Sequence, residues 1–259
     1  MLDAFAFTEP WQLWVTVGAV VLVGMSKGGI GGAMALLGMV ALSTAYPPVQ
    51  AAGILLPILL VMDAVSLWKW RGRWDWRVLK IMLPGGMIGI AIGWMTASFV
   101  SDAAIRLIIG TIAATFVLRW VFSGRTGRAL ARLHNPVRAT FWGTVSGYTS
   151  FVAHAGGPPY QIYTLPLKLA PTVFTATSVL FFAIVNTVKV VPYIALGQFD
   201  SANLATSLVM MPLAIVAVLA GVAIVRRLKP DVFYPIMYAF IFVVSLKLIY
   251  DGLTGLVAS

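Results

Sequence analysis

A glycine run with a lysine in it, Ser26-Lys27-Gly28-Gly29-Ile30-Gly31-Gly32, interrupts the apolar stretch from residue 11 to residue 45. Each glycine costs a helix about 1 kcal/mol relative to alanine, so four within five residues predict a break in the helix that begins near Trp11. In a membrane an unwound backbone survives only where protein or a watery cavity satisfies its N–H and C=O groups. The run therefore reads either as a binding site or as a row of small residues that lets two helices pack closely.

The membrane setting comes from composition. The chain is 60% hydrophobic and 10% charged, with a mean hydropathy of +0.94, whereas about a quarter of residues are charged in soluble domains. Its 259 residues read as one polytopic membrane domain spanning 1–259. The net charge of +10 sits in short loops beside apolar spans, which argues against a nucleic-acid partner and for a topology signal. There is no cysteine, and His134 and His154 form no ligand-spaced pair, so neither a thiolate chemistry nor a metal site is expected, and no cofactor is implied. The N-terminus carries Asp3 and Glu9 in place of a basic leader, and the first apolar run is expected to be retained.

Hydropathy predicts full-length helices at about 48–70, 78–97, 103–121, 171–194, 203–225 and 232–251. Residues 139–170 repeat the behaviour of 11–45, being interrupted at Gly156-Gly157-Pro158-Pro159, and the pieces flanking both breaks are expected to run only about 12 to 15 residues. The order of a broken segment followed by three helices thus occurs twice, over about 11–121 and 139–251, joined by a link at about 122–138. Gly31-Gly32 corresponds to Gly156-Gly157, Pro48 to Pro171 and Asp63 to Asn186. The fold expected is an all-α integral membrane protein of two inverted repeats, each a glycine-broken re-entrant helical hairpin plus three transmembrane helices. Inversion follows from charge: Lys69, Arg71, Arg73, Arg77 and Lys80 mark one link as cytoplasmic and Arg125, Arg128, Arg132 and Arg138 mark the central one. In the second half the bias moves by one loop, to Arg226, Arg227 and Lys229, and both termini are expected outside.

With this topology the two breaks approach from opposite sides, and helices starting at them aim free N–H groups at an anion. Candidate substrate-binding residues are Ser26, Lys27, Gly28, Gly29, Gly31 and Gly32 at the first break and His154, Gly156, Gly157, Tyr160 and Gln161 at the second. Thr149 and Ser150 are further hydroxyl donors, though hydroxyls in membrane helices often bond their own backbone. Asp63, Asn186 and Lys189 are candidates for proton or charge coupling, and so is His154, whose imidazole titrates near neutrality when unperturbed. Asp102–Arg106 and Lys247–Asp251 are spaced as local ion pairs, Lys168 and Arg119 as snorkelling cations, and Trp68, Trp70, Trp74, Trp76 and Trp94 as interfacial anchors.

Lys27-Gly28-Gly29-Ile30-Gly31-Gly32, Pro47-Pro48 with Ala51-Ala52-Gly53 and Leu56-Pro57 running into Asp63, and Ala153-His154-Ala155-Gly156-Gly157-Pro158-Pro159 followed by Tyr163 and Leu165-Pro166 resemble the TauE/SafE family of sulfite-exporter-like permeases over nearly the whole chain. The resemblance implies a multi-pass transporter of the bacterial cytoplasmic membrane, exporting a small sulfur anion such as sulfite, thiosulfate or an organosulfonate. It leaves the choice among those anions, and any homo-oligomer, open. His154 departs from the family's commoner glycine-rich second motif. A secondary transporter working by alternating access, with or without proton coupling, fits the residues best, since the chain has no GxxxxGK loop. An anion channel of the same architecture is the alternative, and an intramembrane hydrolase using Ser150 and His154 is a distant third.

Overall fold

The computed structural model describes residues 5–7, 9–96, 101–122, 132–195 and 200–257. Asp3, Arg125 and Arg128 lie outside the described residues, as does the side chain of Asp102 and with it the expected pair to Arg106. All regular structure among the described residues is helical: α1 Pro10–Met25, α2 Gly32–Ala45, α3 Pro48–Trp70, α4 Trp76–Thr96, α5 Asp102–Phe122, α6 Pro136–Ala153, α7 Gly157–Thr164, α8 Pro171–Ala195, α9 Ser201–Arg227 and α10 Pro230–Val257. The six long helices expected from hydropathy appear as α3, α4, α5, α8, α9 and α10, with ends moved by a few residues. Local chemistry sets several starts: Asn135 accepts the amide of Arg138 at α6, Asp75 those of Arg77 and Val78 at α4, and Asp200 that of Asn203 at α9.

The broken segments come close to expectation at the first break and differ in length at the second. At the first, α1 runs 16 residues to Met25 and passes into a widened turn over Ser26–Ile30 that is kinked at Gly29, φ +127°, before the 14 residues of α2; the stretch Pro10–Ile30 as a whole is 21 residues, long and apolar enough to cross a membrane. With it, seven helices among the described residues meet that standard. At the second break the arms are 18 and eight residues, because Leu165–Leu167 tightens into a 3-10 turn and Lys168 takes a left-handed conformation that ends the short arm.

The chain folds into two compact units, each drawn from both halves of the sequence. The first comprises residues 1–74 and 175–227, which hold α1, α2, α3, most of α8, and α9. Its helices meet backbone to backbone: a Cβ on Gly28 would lie 2.4 Å from the Val218 carbonyl, and one on Gly221 would lie 2.5 Å from that of Met25. α3 packs on α9 as well, where the buried Ser207 donates to the Ile54 carbonyl at 2.7 Å.

The second unit comprises residues 75–174 and 228–259. α4 lies against α6 through glycines on both helices, with the α carbon of Gly89 too near Thr144 to admit a side chain. α5 packs on α10, where Trp120 stacks on Tyr238 at 4.1 Å between centroids. Lys247 and Asp251 form the expected i, i+4 ion pair on α10, and Arg106 of α5 stands 3.8 Å from the same carboxylate.

Candidate functional site

The first break is built by three elements of the first unit. Widening to a π turn and then passing through Gly29 at φ +127° and Gly31 at φ +116° takes the backbone out of register with itself, which L side chains resist. Carbonyls released by that change need donors in an apolar interior. Side chains supply them: Ser26 Oγ donates to the Gly31 carbonyl at 2.6 Å, Ser66 Oγ to Lys27 at 3.0 Å, Trp70 Nε1 to Gly28 at 3.2 Å and Thr175 Oγ1 to Gly29 at 3.4 Å.

Asp63, Ser66 and Trp70 are spaced i, i+3, i+7 on α3 and so share one face. That face grips the break three times, twice through carbonyls and once through charge. Lys27 Nζ donates to Asp63 Oδ1 at 2.6 Å, and Asn186 Nδ2 of α8 donates to Asp63 Oδ2 at 2.7 Å. Both carboxylate oxygens are thereby engaged. The Lys27 and Asp63 side chains are 11% and 4% exposed, so this pair is held away from solvent. Lys189, one turn beyond Asn186 on α8, is fully buried and interacts electrostatically with both Lys27 and Asp63. Aromatic faces adjoin the two cations, Phe182 at 5.7 Å from Lys27 Nζ and Tyr193 at 5.8 Å from Lys189 Nζ.

Four residues expected in two different roles, Lys27 for substrate and Asp63, Asn186 and Lys189 for coupling, therefore form one cluster. Ser26 lies beside it, with its hydroxyl hydrogen committed to Gly31. Ser66, Trp70 and Thr175 belong to the same site, and sequence reasoning did not single out Ser66 or Thr175. Trp70 corrects its expected place as an interfacial anchor: it is fully buried, with its indole N–H on the Gly28 carbonyl and its ring 5.5 Å from the Arg226 guanidinium. Trp68 and Trp76, by contrast, are exposed on the surface. The signal that could have found Trp70 is its distance of one further turn from Ser66 on the Asp63 face.

The second break lies in the second unit. His154 ends α6 at φ +50°, and the Thr149 carbonyl accepts the amides of both His154 and Ala155. Ser146 Oγ donates to the Gly156 carbonyl at 2.8 Å, as Ser26 does to Gly31, the glycine that corresponds to Gly156 in the first half. Gly157, Pro158 and Pro159 open α7, where prolines lose no hydrogen bond. Tyr160 and Gln161 are buried in that helix, Tyr160 edge-on to Phe174 at 6.3 Å. Gln161 Oε1 meets no hydrogen-bond donor among the described residues. Thr149 donates back to the Val145 carbonyl and Ser150 is buried on the same helix. No group of three or more metal-ligating side chains occurs among the described residues.

The probable sulfite/organosulfonate exporter TauE of Cupriavidus necator is 22% identical over 204 residues, covering 78% of this chain and 77% of that protein. No solved structure matches. A family model described as sulfite exporter TauE/SafE matches residues 16–248. The chain thus belongs to the sulfite exporter TauE/SafE family, whose members are membrane transporters and not enzymes.

Proposed function

We propose that this protein is a secondary transporter that exports a small sulfur-containing anion, such as sulfite, thiosulfate or an organosulfonate, across the bacterial cytoplasmic membrane by alternating access. The observation that carries the reading is the buried cluster at the first break, where Lys27 meets Asp63 beside an opened backbone. A lysine inside a membrane is costly unless paired or hydrated, and such residues mark substrate paths. The Cupriavidus relative supports the substrate class. Expelling an anion from a cell negative inside is downhill by about 2.3 kcal/mol per charge per 100 mV, so outward movement requires no nucleotide.

In this reading Ser26, Lys27, Gly28, Gly29, Gly31 and Gly32 are the substrate-contact residues of the first break, and His154, Gly156, Gly157, Tyr160 and Gln161 are those of the second. Asp63, Asn186, Lys189 and His154 are assigned to coupling. Two inverted repeats underlie this scheme, with the basic links at Lys69 to Lys80 and Arg226 to Lys229 cytoplasmic and both termini outside. The hydrogen bond between Asp63 and Asn186 supports the duplication, since residues at matching places in two related halves touch only near the axis that relates them.

The test is flux of labelled sulfite and of a sulfonate in proteoliposomes, with and without an imposed pH gradient, for the native chain and Lys27→Ala. Saturable flux that Lys27→Ala reduces at least about tenfold is the expected result. Equal flux in both proteins would remove Lys27 from the site, and no flux of either anion would remove the substrate class.

A further inference from the structure

The charge of the buried cluster bears on which anions it can take. Asp63 is the only fully buried carboxylate among the described residues of the first unit, and two lysines, Lys27 and Lys189, interact with it. The remaining polar contact on that carboxylate, Asn186, is neutral. With all three ionised, the cluster holds one positive charge in excess inside an apolar span, a situation that favours recruiting one negative charge. The other described acids of the unit, Glu9 and Asp200, are exposed at helix starts.

Resting on the transport reading above, we infer that the Lys27–Asp63–Lys189 cluster selects singly charged sulfur oxyanions over doubly charged ones, with Lys189 as a second anion-binding lysine and Asp63 as the counter-charge that sets the limit. A singly charged sulfonate or hydrogensulfite neutralises the cluster. A dianion leaves it negative by one charge, in surroundings where an uncompensated charge is strongly disfavoured. The anion and the Asp63 carboxylate compete for the same Lys27 ammonium, and Asn186 holds the second carboxylate oxygen while they do so. Aromatic rings beside both ammonium groups keep water from screening the difference.

Methanesulfonate and thiosulfate make a matched pair of probes: each is a tetrahedral sulfur bearing three oxygens, with a methyl group in one and a second sulfur in the other, and they carry one and two charges. Binding of both would be measured by equilibrium dialysis with the full-length protein in nanodiscs at one neutral pH. The native protein is expected to hold methanesulfonate at least about tenfold more tightly than thiosulfate, and Asp63→Asn to move that ratio at least about tenfold toward thiosulfate. Lys189→Gln is expected to weaken methanesulfonate at least about tenfold, with Lys189→Arg recovering most of the loss. The two Lys189 variants carry the test if Asp63→Asn does not fold. Native preference for thiosulfate, or one unchanged ratio in the native protein and the variants, would overturn the charge rule alone. Binding of neither anion by the native protein would instead remove the sulfur-anion reading, and the rule with it.

Discussion

Lys27 Nζ and Asp63 Oδ1 are 2.6 Å apart although 36 residues separate them in the chain. The lysine that breaks the apolar pattern of the first segment is answered by the acid that breaks the pattern of the third helix, and each accounts for the other's presence in the membrane interior. Removing one partner strands the other. Asp63→Ala is expected to destabilise the protein by about 3–5 kcal/mol, and the double variant Lys27→Ala/Asp63→Ala by less than that single change. Denaturant titration in mixed micelles measures both, and a double variant worse than either single would show that the pair does not act as a unit.

Trp70→Phe keeps most of the ring volume and deletes the donor to the Gly28 carbonyl. Leaving that buried carbonyl unsatisfied is expected to cost about 1–3 kcal/mol. Trp68→Phe, on an exposed ring two positions away, is expected to change stability by less than about 0.5 kcal/mol. Equal effects would mean that the indole hydrogen bond contributes nothing.

Gly18 of α1 and Gly28 in the turn that follows it should respond oppositely to a methyl group. A Cβ at Gly28 meets the backbone of α9 at 2.4 Å, whereas one at Gly18 has nothing within 4 Å. Gly28→Ala is expected to cost about 1–3 kcal/mol or more from overpacking. Gly18→Ala should be neutral or stabilising by up to about 1 kcal/mol. Thermal retention of the monodisperse peak in detergent ranks the two against the native chain.

At the second break, His154 occupies a left-handed backbone position. His154→Gly and His154→Ala both lose the imidazole, yet only glycine adopts φ +50° without steric cost. The glycine variant is expected to be more stable than the alanine variant by about 1 kcal/mol. Parity between them would show that the turn relaxes once the histidine is gone.

Much of this architecture was readable from apolar run lengths, because a membrane span must be long, apolar and helical. Glycine spacing also gave the two breaks, and the residues Lys27, Asp63, Asn186 and Lys189 stood out as polar groups in apolar company. Their assembly was not readable. Periodicity relates residues within a helix, and nothing in it states that Lys27 of one helix reaches Asp63 of another, or that Asn186 turns its amide to the same carboxylate. How the first break is held was not readable for a related reason. Gly28 and Gly29 were expected to break the helix, and it kinks at Gly29, φ +127°; the spacing does not state that side chains from α3 and α8 take up the released carbonyls. Trp70 was misassigned because tryptophans near a basic link ordinarily face the lipid headgroups.

The placement of Trp70 also has an optical consequence. Trp11, Trp14, Trp68, Trp76 and Trp94 are exposed on the surface, and their emission reports the lipid or detergent around them. Trp70 is buried, tied through its indole to the Gly28 carbonyl, and lies under the cationic head of Arg226. A movement of the break that releases that carbonyl alters both the hydrogen bond and the local field on this one chromophore. A chain in which the other tryptophans are replaced by phenylalanine would therefore carry, without any added dye, a spectral reporter of the state of its own glycine break.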